Sequence, residues 1–74
     1  MSYDYIINLM DESGELEPDS TATCLAEAIN ICKDKVDYGD TDYAEVVYDP
    51  EDNQGDSEVV YFVGRKFPNY VKGY

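Results

Sequence analysis

The sequence predicts a small α+β domain of β(β)αββ order, with one helix at about 21–38 packed on one face of a three- or four-stranded antiparallel sheet. Three observations predict it. Seventy-four residues suffice for one domain and a modest core. One segment carries apolar residues at helical spacing. Three others are rich in β-branched and aromatic residues and are separated by turn-forming clusters. An apolar share of 43% with eight Tyr and two Phe places the chain among folded proteins, since disordered acidic chains are poor in aromatics.

Taken in order, residues 3–10 (YDYIINLM) read as a strand with Tyr3, Tyr5, Ile7 and Leu9 on one face and Asp4, Ile6, Asn8 and Met10 on the other. Asp11-Glu12-Ser13-Gly14 is a turn, with Gly14 free to take a positive φ. A short return strand is expected at 15–17, closed by Pro18. Leu25, Ala28, Ile29, Cys32 and Val36 then form an apolar helical stripe, with Ser20, Thr21 or Thr23 as the N-cap and Gly39 after the C-terminus. Residues 42–49 (DYAEVVYD) and 57–64 (SEVVYFVG) read as an antiparallel hairpin across the polar loop PEDNQGD. Residues 65–74 form a basic aromatic tail (RKFPNYVKGY) within the single domain 1–74, and Pro68 and Gly73 argue against regular structure throughout it. Because one helix covers one face of a sheet, tyrosines on the other face are expected to be exposed and to offer an interface.

Charge is the outlying property. Seventeen Asp and Glu face five Lys and Arg. All the acids lie within 1–58, opposed there only by Lys33 and Lys35, so that part carries −15. Residues 59–74 hold no acid and carry +3 from Arg65, Lys66 and Lys72. Such a balance disfavours direct contact with nucleic acid or anionic membrane, because both require Lys and Arg. The first residues show neither a basic leader nor a long apolar run, so the expected location is the cytoplasm. Two cysteines eight residues apart on one helix stand about 12 Å apart along its axis, too far for a mutual disulfide. Two unpaired thiols fit a reducing compartment.

Catalytic and metal chemistry find little support in the residues. There is no histidine, CxxC, nucleophile elbow or Gly-rich phosphate loop. The stretch Asp49–Asp56 resembles a calcium loop only in composition: counted from Asp49, its sixth position is Gln54 and its twelfth is Val60, where Gly and Glu are required. Cys32 lies on the apolar stripe, and Cys24 near the helix start has no resolving partner. The chain is therefore expected not to be an enzyme, and to carry no metal and no cofactor.

The acids themselves form the candidate binding site. Residues 37–58 contain Asp37, Asp40, Asp42, Glu45, Asp49, Glu51, Asp52, Asp56 and Glu58 without one Lys or Arg, interleaved with Tyr38, Tyr43 and Tyr48. A domain of this length has a radius of gyration of about 11 Å and spans about 30 Å. Duplex DNA presents roughly seventeen phosphate charges over that span. Imitation of part of a duplex is thus numerically feasible. Short, acidic proteins without catalytic equipment are of the type seen among phage and mobile-element inhibitors of host nucleases, including anti-restriction and anti-CRISPR proteins, although no motif matches a particular family. The leading expectation is a non-enzymatic DNA mimic that occupies the basic groove of a nucleic-acid-binding protein. The alternative is a small self-associating accessory protein, a homodimer through its exposed sheet face. Solubility, salt adaptation and an intramolecular balance between tail and acids are the plainer readings of the same charge.

Overall fold

The structure, a computed structural model, describes residues 4–49 and 58–66. Four strands and one helix follow in the order β1 (Tyr5–Met10), β2 (Leu16–Ala22), α1 (Leu25–Asp37), β3 (Tyr43–Tyr48) and β4 (Glu58–Gly64). All strand pairs are antiparallel, and the sheet order is β2-β1-β3-β4. This is the α+β architecture the sequence predicts, with one helix on a four-stranded sheet.

The core lies between α1 and one face of the sheet. Ile7 pairs with Val46 and Leu9 with Ala44 across the two central strands, and Ala28, Cys32 and Val36 descend on them from the helix. Ile7, Ala28, Cys32, Ala44 and Val46 are all completely buried. Many of these side chains are small, and this lets the helix backbone approach the sheet closely enough to exclude water. Tyr5, Leu9, Ile31, Tyr61 and Val63 close the margins of the cluster. Leu25, expected on the same stripe, is 38% exposed, because it sits in the first helical turn, beyond the edge of the packed face.

The chain between Leu16 and Thr23 departs from expectation. Pro18 does not end a three-residue strand; β2 runs through it to Ala22. Two features admit the proline. β2 is an edge strand, and the register with β1 shifts between Ile7 and Asn8, so that Ser20 pairs with Ile7 and Pro18 with Asn8. Proline, which lacks an N–H, is tolerated at such an edge irregularity. Ser20 and Thr21 are consequently strand residues, not helix caps. The side chain of Ala22, paired with Tyr5, is buried in the core and commits the chain to strand geometry up to that point. The N-cap is Cys24, in extended conformation, and no side chain caps the first turn. The helix thus spans 25–37 rather than about 21–38. Asp4 lies just before β1, and β3 is shorter by one residue at each end than the expected 42–49; the expected strand residues Tyr3 and Ser57 lie outside the described residues.

The C-terminus of α1 follows its sequence signal closely. Gly39 adopts a φ of +85°. Its N–H donates to the Val36 carbonyl at 3.1 Å, and the Asp40 N–H donates to the Lys35 carbonyl at 2.9 Å. This pair of bonds is a Schellman motif, which satisfies two orphan carbonyls and turns the chain sharply toward β3.

Gly64 has a different role. It pairs with Tyr43, and a Cβ on it would meet the Asp42 carbonyl oxygen and lie 2.7 Å from the Tyr43 Cα. Both obstacles are backbone, so no rotamer change relieves them. Gly64→Ala is expected to lower stability by about 1–3 kcal/mol, the usual range for overpacking. Urea denaturation followed by circular dichroism measures this, with an unchanged slope if the native fold persists.

Candidate functional site: an acidic end of the sheet

Nine of the twelve residues singled out in the sequence are described, and these nine do not form one surface. Strand β3 separates them. Asp37, Tyr38, Asp40 and Asp42 lie at its beginning, and Tyr48, Asp49 and Glu58 at its end, a six-residue strand away, or about 20 Å. Glu51, Asp52 and Asp56 lie outside the described residues. At the far end the Asp49 N–H donates to the Asp4 carbonyl at 2.8 Å, extending the β1–β3 ladder by a residue.

Two members of the set are not surface residues. Tyr43 is fully buried and Glu45 is 4% exposed. Both point away from the helix, since Ala44 and Val46 occupy the core face between them. There the Tyr43 hydroxyl donates to Glu45 Oε1 at 2.8 Å, and the Asn8 amide donates to Oε2 at 3.3 Å. The Tyr43 ring packs against Phe62 with centroids 6.2 Å apart. A buried carboxylate must be hydrogen-bonded to be tolerated, and this one is. The expectation that the sheet face opposite the helix exposes its tyrosines is therefore corrected at Tyr43, and Tyr5 and Tyr48 stack with each other (5.1 Å) on the helix side. Tyr38 alone among the three chosen tyrosines is freely exposed, at 80%.

What the fold assembles instead is an acidic end of the sheet, built from segments remote in sequence. β3 runs antiparallel to β1, so the start of β3 lies beside the end of β1 and hence beside the β1–β2 turn. Two adjoining concavities of about 320 Å³ each open there. Asp11, Glu12, Asp40 and Asp42 line one, with Met10 and Thr41; Asp11, Glu17, Asp19 and Asp40 line the other. Sequence reasoning missed the four acids of the first hairpin because they stand far along the chain from 37–58. The signal that finds them is topological: an antiparallel β1–β3 pair places the turn after β1 next to the residues before β3.

Local bonds fix the positions of these carboxylates. Asp11 Oδ1 accepts from the Ser13 N–H at 2.9 Å, the Ser13 hydroxyl at 2.7 Å and the Glu15 N–H at 2.9 Å. These donors, led by the Ser13 hydroxyl, hold its pKa below the ordinary value of 3.8. Asp11 thus stays ionised and holds the turn at Gly14, whose φ is +91°. Asp40 is placed by the Schellman turn. The buried Thr41 hydroxyl lies 2.8 Å from the Met10 carbonyl and 2.9 Å from that of Tyr43, tying the end of β1 to the loop that leads into β3.

Among the described residues, cations reach this end at two acids, Asp19 and Asp42. Lys35 Nζ lies 3.5 Å from Asp19, Arg65 Nη1 3.8 Å from Asp42 and Lys66 Nζ 3.7 Å from the same carboxylate. The Arg65 N–H also donates to the Asp42 carbonyl at 2.7 Å, and its guanidinium to the Val36 carbonyl at 3.4 Å. The beginning of the basic tail therefore folds back on one acid, Asp42. Its later residues, with Lys72, lie outside the described residues. Among the described residues no group of three or more His, Cys, Asp or Glu is arranged to hold a metal ion. No helix among them is long and apolar enough to cross a membrane.

The two thiols differ sharply in environment. Cys24 is exposed, whereas Cys32 is buried at the centre of the core. Burial, with the nearby Glu45 charge adding to it, pushes the Cys32 thiol up to about 12. Thiolate is the reactive form, so in native protein at pH 8 a thiol reagent is expected to titrate one cysteine promptly and the second only after denaturation. Because the folded pKa exceeds the ordinary 9.0, this thiol's contribution to stability is intact below pH 9 and declines from there toward pH 12.

Comparison with family models, with curated proteins and with solved structures finds no match to this chain.

Proposed function

We propose that the chain is a non-enzymatic acidic binding protein whose carboxylate-rich end docks into the basic, phosphate-binding groove of a nucleic-acid-binding protein. In that role it is a partial DNA mimic, the role an anti-restriction or anti-CRISPR inhibitor plays. One observation supports the reading above others: six carboxylates, Asp11, Glu12, Glu17, Asp19, Asp40 and Asp42, drawn from two distant segments, line adjoining concavities at one end of the sheet. Acids that served solubility alone would have no need of that convergence. Two of the six are partly neutralised by Lys35, Arg65 and Lys66, and the field of the others remains available to a partner. Such a field attracts a cationic surface from a distance, speeds association and weakens with salt. Tyr38, 80% exposed next to the Gly39 turn, supplies an aromatic contact at the same end.

The test is displacement of a fluorescent DNA duplex from a panel of basic DNA-binding proteins and nucleases. Replacing Glu12 and Asp40 by Lys is expected to weaken displacement about tenfold or more, on the scale of several rim charge pairs lost and turned repulsive. Replacing Asp49 and Glu58 by Lys changes the net charge equally at the other end of the sheet and is expected to matter much less. Equal effects from the two variants would leave bulk charge as the whole explanation, and no displacement by the native protein from any member would remove the proposal.

A further inference from the structure

The sheet face turned away from α1 is buried more deeply than its described neighbours account for. Tyr43 and Glu45 lie on it at 0% and 4% exposure. Asn8 and Phe62 flank Glu45 on the same face, one on each adjoining strand. Flanking side chains shield the edges of a residue on a sheet and leave its top open to water. Closing the top takes a second layer, as α1 provides on the other face. No helix or strand among the described residues supplies that layer here. The burial is also graded. Val59, paired with Val47 toward the other end of β3, is 37% exposed. The cover therefore lies over the Tyr43 end of the face.

Residues 1–3, 50–57 and 67–74 lie outside the described residues, and reach separates them. Residues 1–3 join β1 beside Asp49, whose N–H donates to the Asp4 carbonyl. From there Tyr43 is the length of β3 away, about 20 Å, whereas three residues span about 10 Å. Residues 50–57 are held at both ends, by Asp49 and Glu58, so the middle of that loop extends about 15 Å. It also contains Glu51, Asp52 and Asp56, which suit a face with a buried carboxylate poorly. Residues 67–74 start in the right place, because the Arg65 and Lys66 N–H groups both donate to the Asp42 carbonyl, next to Tyr43. Eight extended residues span about 26 Å, more than the length of β3. They include Phe67, Tyr70, Val71 and Tyr74 and no acid.

We infer that residues 67–74 fold back over this face as a strap, with their aromatic side chains closing the layer above Tyr43, Glu45 and Phe62. Pro68 suits that path, because it has no N–H to donate to a strand ladder and so favours leaving the sheet edge over extending it. The strap has a consequence for assembly. The face that a second copy of the chain would need for self-association is taken by the chain itself, which keeps the protein monomeric.

Nuclear Overhauser contacts in the full chain test this directly. Contacts are expected between the ring protons of Tyr43 or Phe62 and the side chains of Phe67, Tyr70, Val71 or Tyr74. In a mixture of isotope-labelled and unlabelled chains, the filtered spectrum that keeps only intermolecular contacts is expected to lack them. The inference is overturned if those rings contact 1–3 or 50–57 instead, make no contact with 67–74, or meet 67–74 only between molecules. A chain ending at Lys66 gives a second readout. It is expected to unfold at a lower urea concentration or to sediment as a concentration-dependent oligomer, and a monomer with the stability of the full chain contradicts the strap.

Discussion

The pairing of β1 with β3 at the centre of the sheet is the constraint on which the rest depends. It sets Ile7 opposite Val46 and Leu9 opposite Ala44, and so creates the one apolar face wide enough for α1 to cover. A shift of one residue would turn every inward side chain to the other face. It would carry Ile7 off the face that α1 covers and bring Asn8 and Glu45 under the helix. The same pairing determines the charge distribution. Because it is antiparallel, it places the turn after β1 beside the loop before β3, and both segments are acidic. The core and the acidic end are two consequences of one register.

That link explains how a marginal domain tolerates so uneven a charge. Like charges gathered in one region repel, and the repulsion favours the unfolded chain. Here the cost is offset locally. Asp11 is used as a turn acceptor, Asp19 and Asp42 hold Lys35, Arg65 and Lys66, and Asp40 belongs to a helix-terminating turn stabilised by backbone bonds. Glu45, the carboxylate that would cost most if left alone in the interior, is hydrogen-bonded to Tyr43 and Asn8. Four of the six carboxylates at the end, Asp11, Asp19, Asp40 and Asp42, are thus tied to neighbouring structure.

Much of the fold was legible in the sequence, and the failures have physical causes. The spacing of Ala28, Cys32 and Val36 and the Gly39 stop signal locate the helix, because both follow from local geometry. β2 was underestimated because Pro18 is a strong local breaker, and only its place at a sheet edge with a shifted register neutralises it. The hydroxyl residues before the helix looked like caps, but burial of Ala22 against the core decided for a strand. The candidate site was less legible. In YAEVVY hydrophobic or aromatic residues occur at both parities, and the lone Glu45 reads as a solvent-facing position, so alternation does not reveal that Tyr43 and Glu45 are buried on the second face. Nor does nearness along the chain predict nearness in space when a six-residue strand intervenes. It divided the described acids of 37–58 between two ends and joined one part of them to Asp11, Glu12, Glu17 and Asp19.

The central claim is that binding of cationic partners belongs to one end of the sheet and not to acidity at large. Backbone amide shifts during titration with a nona-arginine peptide address it most directly. The account predicts that perturbations concentrate in residues 10–19 and 37–42, saturate together and diminish with added salt. Perturbations of equal size around Asp4, Asp49 and Glu58, or spread over every exposed carboxylate, would contradict it.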